Sequence, residues 1–473
     1  MSSMKEIVEE HISSYDHLSK KHIHPRMQRM MEMGGMNVAF QRAEGPYMYD
    51  LEGNRYLDLL AGGGVYFIGR HHPKVRAAIR EVNELDIPNL TVINASVLGG
   101  VLASKIIDLL GPGFSKVQFS NSGSESNEVA IRFARFCTRR RRFLYLDGAF
   151  HGRTYAAISM CGFQMMKEGM DPRMPTTTPI TPNDLDQLRY ELSKGDVAAF
   201  IFECTQGMTL TNLEVDYLRE ARRLCDEHGT LMIADEVQTG FARMGDHWFA
   251  FQESGIVPDM ITLSKTLSGG AAPVACTAIG DHVYDTVFNT FKSGPIYFST
   301  FAENNIAMAA ALATIEVLEE MDAPTRAAEL SKKFRDGLFA LKQKHDCIER
   351  IGGKGLMIGI YFKTSESNPI LRAQQSLLNS IDKGTFGAAV NVDMYRKHKI
   401  IVQIPGPGLN AIKILPPVTL SDEDVQYFLT SLDQTLADMY SRAGGPAVSL
   451  GRTVIKDQVK TLGAKLGLNA GKR

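Results

Sequence analysis

The sequence has no apolar run approaching the roughly 20 residues that a membrane span needs. It has no Cys-x-x-Cys pair; its six cysteines (Cys137, Cys161, Cys204, Cys225, Cys276, Cys347) are scattered. That spacing excludes a zinc cluster or a disulfide frame, and they read as reduced thiols of a cytoplasmic protein. Excess charge of either sign is missing too, with 52 Lys and Arg against 53 Asp and Glu. A formal net charge of -1 removes the electrostatic case for nucleic acid or an anionic membrane as partner. Met1-Ser2-Ser3-Met4-Lys5-Glu6 leads into acids without the apolar core of a secretory signal. No internal repeat is present, and no metal site is expected.

What remains is an ordinary globular composition, 44% hydrophobic and 22% charged over 473 residues, enough for two or three domains. Residues 4–34 read as helical and charged, with Met27, Met30, Met31 and Met33 as interface or core filler. Ala43 to Asp50 and Gly53 to Asp58 carry a hairpin signal, followed by the glycine run Gly62-Gly63-Gly64. Between 75 and 325, helical and strand patterns alternate. Strands are expected at 116–120, 142–146, 198–203, 230–235, 259–263 and 274–279, and helices at 125–138 and 215–228. Continuous apolar strands mean a sheet covered on both faces, mostly parallel, with ligands at the strands' carboxyl ends. Gly352 to Ile360 begins a strand of a smaller α+β unit. The expected division is 1–74, an N-terminal segment shared with the small domain and a dimer interface; 75–325, a large domain; 326–443, a small domain; and 444–473, a basic tail.

Chemistry concentrates in a few places. Met260-Ile261-Thr262-Leu263 delivers Lys265 into a loop of small residues, Ser264 to Gly270. A desolvated lysine gives up its proton and forms a Schiff base with an aldehyde. The earlier apolar run ending at Ala234 delivers Asp235, an acid able to pair with a cationic ring nitrogen. Those are the two protein groups that pyridoxal phosphate (PLP) asks for. Ser120 to Glu128 follows a strand and opens a helix, so Ser122, Gly123 and Ser124 can meet a phosphate at the helix N-terminus. Alone, the same segment is also a serine cap with a capping-box acid. Phe150, in Gly148-Ala149-Phe150-His151-Gly152-Arg153-Thr154, can stack on a flat ring, and Arg153 can grip a carboxylate. Thr300, in Ser299-Thr300-Phe301, can offer a hydroxyl to a phosphate.

Together with Ala43-Glu44-Gly45 and Asp235-Glu236-Val237-Gln238-Thr239-Gly240, these motifs resemble the class III (subgroup II) aminotransferases, from about residue 40 to 440. The resemblance implies an α/β protein of PLP fold type I: a large domain with a mostly parallel, seven-stranded-type sheet, and a smaller α+β domain. It implies a homodimer with shared active sites and ping-pong transfer of an amino group. In this family Lys265 would carry the cofactor and Asp235 would hold its ring nitrogen. Val237 and Phe150 would flank the ring, and Gln238 would bond its phenolic oxygen. Ser122, Gly123 and Ser124 would hold the phosphate, joined by Thr300 of the neighbouring subunit. Glu203 matches the acid the family keeps behind the cofactor, although Cys204-Thr205 replaces the usual Pro-Val or Pro-Ile.

Two departures bear on substrate. Many members place an arginine shortly before a Pro-Pro to bind an α-carboxylate; here Lys413 stands there, ahead of Pro416-Pro417. Lysine lacks the planar fork, which weakens bidentate binding. Many also place a glutamate after the Gln-Gly that follows the buried acid; here Gln206-Gly207 is followed by Met208. An ω-amine or terminal-aldehyde substrate is therefore expected, with Arg153, Gly63, Tyr66 and Lys413 as candidate substrate residues. The competing readings are an ornithine or acetylornithine type, a PLP mutase or decarboxylase, and a catalytically dead scaffold subunit. Retention of Lys265, Asp235 and Gln238 weighs against the last.

Overall fold

The computed structural model describes residues 2–90, 95–379 and 383–441. The basic tail 444–473 lies outside them. Strands run in chain order β1 (Phe40–Glu44), β2 (Tyr47–Asp50), β3 (Arg55–Asp58), β4 (Lys116–Ser120), β5 (Arg142–Leu146), β6 (Thr177–Ile180) and β7 (Val197–Phe202). They continue as β8 (Leu231–Asp235), β9 (Met260–Leu263), β10 (Ala275–Ile279), β11 (Ile348–Lys354), β12 (Met357–Phe362), β13 (Ile400–Ile401) and β14 (Ala411–Ile414).

Seven of these form one sheet in the order β4-β10-β9-β8-β7-β5-β6. The pairs among β5 to β9 are parallel, and β10 runs antiparallel to both β4 and β9. Every residue of β7, β9 and β10 is buried, as their unbroken apolar runs require when helices cover both faces. Helix Gly123–Thr138 packs across β10, β9 and β7, burying Val129, Ala130, Ile131, Phe133 and Ala134. The loops after β4, β5, β7, β8 and β9 converge at the strands' carboxyl ends, as the expected large domain requires.

The expected strands match within about a residue of their ends, the ordinary uncertainty of strand limits. One strand was not anticipated: β6, Thr177-Thr178-Pro179-Ile180, closes the edge beyond β5. An edge is where a proline is tolerated, because its missing N–H faces away from the ladder. The single strand expected from Gly352 onward is two strands of a hairpin, β11 and β12. Its turn needs left-handed backbone, supplied by Gly353 (φ 77) and Gly355 (φ 53). β14 pairs with β12 to complete that three-stranded sheet, while β13 pairs parallel to β3 beside the β1–β2–β3 meander. Among the described residues no helix is long and apolar enough to cross a membrane.

Candidate active site

A cavity of about 600 Å³ opens where the strand-end loops meet. Its floor is the end of β8. Asp235 is buried, and each carboxylate oxygen has a partner: Oδ1 accepts from the Val237 N–H (3.0 Å), and Oδ2 from Asn127 Nδ2 (2.8 Å). His151 Nδ1 lies 2.8 Å from the same Oδ2. Burial by itself would raise this carboxyl, but the His151 hydrogen bond and charge, with Asn127, hold it below the usual range. His151 is pushed the other way: burial opposes its charged form, and Asp235 outweighs burial and raises it. Asp235 is thus a fixed anion at the cavity floor.

Lys265 enters just after β9 with φ 43, a left-handed conformation rare for a side-chain-bearing residue. Its Nζ makes no hydrogen bond among the described residues. Burial lowers its ammonium, and Asp235 and Glu203 pull partly against that. Burial therefore shifts Lys265 toward the free amine in spite of the two carboxylates. Glu203 follows β7; its Oε1 accepts from Phe150 N–H (3.0 Å) and its Oε2 from Gly207 N–H (2.7 Å). Burial raises its carboxyl.

Ser122 caps helix Gly123–Thr138, its Oγ accepting from the Glu125 N–H (3.2 Å). The serine cap forms without the capping box, because Glu125 Oε2 accepts from the Asn121 N–H (2.8 Å); Ser122, Gly123 and Ser124 line the cavity. A Cβ on Gly123 would come within 2.8 Å of the Val237 methyls, so bare backbone is required there. Gln238 Nε2 donates to the Gly63 carbonyl (3.0 Å), while its Oε1 is buried without a partner. The cavity thus offers a helix N-terminus for an anion, a fixed carboxylate for a cation, a desolvated lysine amine, and an unfilled hydrogen-bonding position at Gln238.

A family model described as Aminotransferase class-III matches residues 30–436. The chain belongs to the class III aminotransferases. An acetylornithine aminotransferase of Bacillus cereus is 32% identical over 397 residues, covering 83% of this chain and 93% of its own. An ornithine aminotransferase of Emericella nidulans is 31% identical over 428 residues, covering 86% and 87%. An amine transaminase from an uncultivated Pseudomonas species, solved in its PLP-bound form, aligns with a TM-score of 0.76 at 25% identity, covering 85% of this chain and 95% of that one.

In this class III aminotransferase, Ser122, Gly123, Ser124, Phe150, Glu203, Asp235, Val237, Gln238, Lys265, Gly63 and Lys413 all line the one cavity. Three other candidates do not line it. Thr300 is exposed and borders a separate, smaller cavity with Phe298, Ser299 and Glu303. The Arg153 side chain is exposed, its guanidinium 5.7 Å from the Phe150 ring centre. Tyr66 lies against the Gly62 and Gly270 backbone, with the Arg70 guanidinium 4.0 Å over its ring.

Two residues holding the acid were overlooked in the sequence. His151 sits inside the motif that supplied Phe150, and Asn127 inside the one that supplied Gly123. A histidine between an aromatic and a glycine after a strand was the available signal. Asn127 had none, since its tie to Asp235 spans 108 residues.

Lys413, on β14, is buried, and its Nζ donates to the Gly207 carbonyl (2.6 Å). Burial, followed by the nearby Lys265 charge, pushes its pKa down to about 7. Met208 and Gln403 line the cavity beside it.

Proposed function

We propose that this PLP-dependent transaminase acts on substrates whose reacting end is a primary amine or terminal aldehyde on an apolar or extended body. The observation that carries this is Lys413: the side chain standing where an α-carboxylate would be gripped is a lysine already spent on a backbone carbonyl, and burial lowers its pKa to about 7. Lysine in that place offers no planar fork, and Met208 offers no counter-charge.

The cofactor, when bound, supplies an aldehyde that accepts the amino group and a ring that takes up the electrons left when a substrate C–H proton departs. In this reading Lys265 Nζ anchors the cofactor and then moves the proton at the substrate's nitrogen-bearing carbon, as base and acid in turn. Asp235 keeps the ring nitrogen protonated. Val237 and Phe150 pack on the ring's two faces, and Gln238 bonds its oxygen. Glu203 fixes the Phe150 and Gly207 backbones behind it. Ser122, Gly123 and Ser124 hold the phosphate. Thr300 reaches that phosphate from a second copy of the chain, which makes the working unit a homodimer. Gly63 leaves room for the substrate body, Tyr66 supports that loop, and Arg153 serves a distal carboxylate. The scattered thiols support a cytoplasmic location.

A second reading, an enzyme of the ornithine or acetylornithine type, is supported by the names of the relatives at about 30% identity. A half-reaction screen separates the two. The purified holoenzyme is mixed with alanine, glutamate, ornithine, putrescine or a long-chain alkylamine, and the absorbance of the bound cofactor is followed. Fast conversion by the diamine or alkylamine is expected. Conversion by ornithine at its δ-amine, with the alkylamine inert, would overturn the proposal in favour of the second reading.

A further inference from the structure

Arg243 is among the largest fully buried side chains of the protein, with 0% of its surface exposed. No carboxylate among the described residues pairs with it. A buried unpaired charge is costly, and such groups normally persist beside an acid. Burial lowers this guanidinium to about 9, which still leaves it charged at neutral pH. Its partners are two backbone carbonyls: Nη1 donates to Pro416 (2.7 Å) and Nη2 to Gly64 (2.9 Å). The guanidinium carbon lies 4.1 Å from the Phe67 ring centre, a cation–π contact in a desolvated place.

Those two carbonyls belong to the parts of the cavity that come from elsewhere in the chain. Gly64 ends the glycine run that borders the cavity through Gly62 and Gly63, and Pro416 follows the strand carrying Lys413. The Gly64 carbonyl also accepts from Thr266 Oγ1 (3.2 Å), directly beside Lys265. The preceding carbonyl, Gly63, accepts from Gln238. Arg243, Thr266 and Gln238 therefore fasten two successive carbonyls of one loop. Arg243 is delivered there by strained backbone: Phe241 (φ 58) and Ala242 (φ 64) are both left-handed without being glycine.

We propose that Arg243 is a positioning residue of this active site, holding the glycine loop and the Lys413 strand in register against the Lys265 segment through the Gly64 and Pro416 carbonyls. The proposal rests on Lys265 and Gln238 being the cofactor residues.

The test compares Arg243→Lys, Thr266→Val and the double variant. Three quantities are measured: the Tm of the apoenzyme, the cofactor Kd by equilibrium dialysis, and kcat and KM separately. Arg243→Lys keeps the charge but reaches only one carbonyl. Its Tm should stay within a few degrees of the parent, while kcat falls about a hundredfold, the scale of a misplacement of about 1 Å. The cofactor Kd should rise about tenfold, which corresponds to one shared hydrogen bond to the loop. The double variant should lose less than the sum of the two single losses, because both donors act on one oxygen. Unchanged kcat and Kd, or losses that follow the fall in Tm and add independently, would overturn the proposal. A Lys265→Ala control separates the two levels. If that variant still turns over, the underlying reading fails; if it is dead and Arg243→Lys behaves as parent, only the positioning role fails.

Discussion

Two lysines line the cavity, Lys265 after β9 and Lys413 on β14, and they are held in contrasting ways. Lys265 has a strained backbone and a terminal nitrogen with no hydrogen-bond partner among the described residues, beside a fixed anion. Lys413 sits on regular strand backbone with its nitrogen tied to the Gly207 carbonyl. Burial pushes both pKa values down. An amine left unbonded and desolvated is poised to react, whereas an amine spent on a carbonyl shapes the wall and has little left for a substrate. The same residue type thus serves two purposes, separated by its hydrogen-bond partner.

The contrast can be broken most directly by removing the reactive amine. Lys265→Ala should cost about four orders of magnitude in turnover, the upper scale of proton-transfer catalysis, and abolish the absorbance of the lysine-bound cofactor. Retained turnover would remove the distinction between the two lysines. Next in size is Asp235→Asn, which leaves Asn127 and His151 facing a neutral group. Activity should fall about 10²–10³-fold in stopped-flow half-reactions, the scale of a lost fixed charge. Near-parent rates would mean the floor anion is structural.

The wall side should respond more mildly. Lys413→Arg introduces a fork that can bond Gly207 and still meet a carboxylate, so kcat/KM for α-amino acids should improve roughly tenfold over matched simple amines. No change would make Lys413 a purely structural tie. The smallest effect is with pH. Lys413 is cationic below about 7 and neutral above it. The ratio of kcat/KM for a carboxylate-bearing ω-amine to that for a plain amine of equal length should therefore decline as pH rises through that value. The amine's own ionisation cancels in the ratio. Lys413→Met should flatten the profile, and a flat parent profile would assign the whole wall to packing.

Asp235, Lys265 and Gly123 were legible in the sequence because each signal is local. Asp235 ends an apolar run, Lys265 follows another, and Gly123 opens a helix after a third; one short window contains each signal. The parts that escaped are those whose meaning depends on distant chain. Lys413 could be placed by resemblance, but its Gly207 partner lies 206 residues away. Arg243 reads as an ordinary charged residue until Gly64, 179 residues distant, folds over it. The edge strand β6 carries too few apolar residues and a proline, so its pairing with β5 is what makes it a strand.

By itself, then, the sequence determined the alternating α/β core, the family, and the chemical groups at the strand ends, since hydrophobic period and helix-opening motifs act over a few residues. Only the tertiary structure decided which lysine stays unbonded, which groups fix Asp235 as an anion, and where an unpaired arginine is buried. Those properties are set by burial and by hydrogen-bond partners drawn from segments a hundred or more residues apart, and no short window of sequence contains both partners.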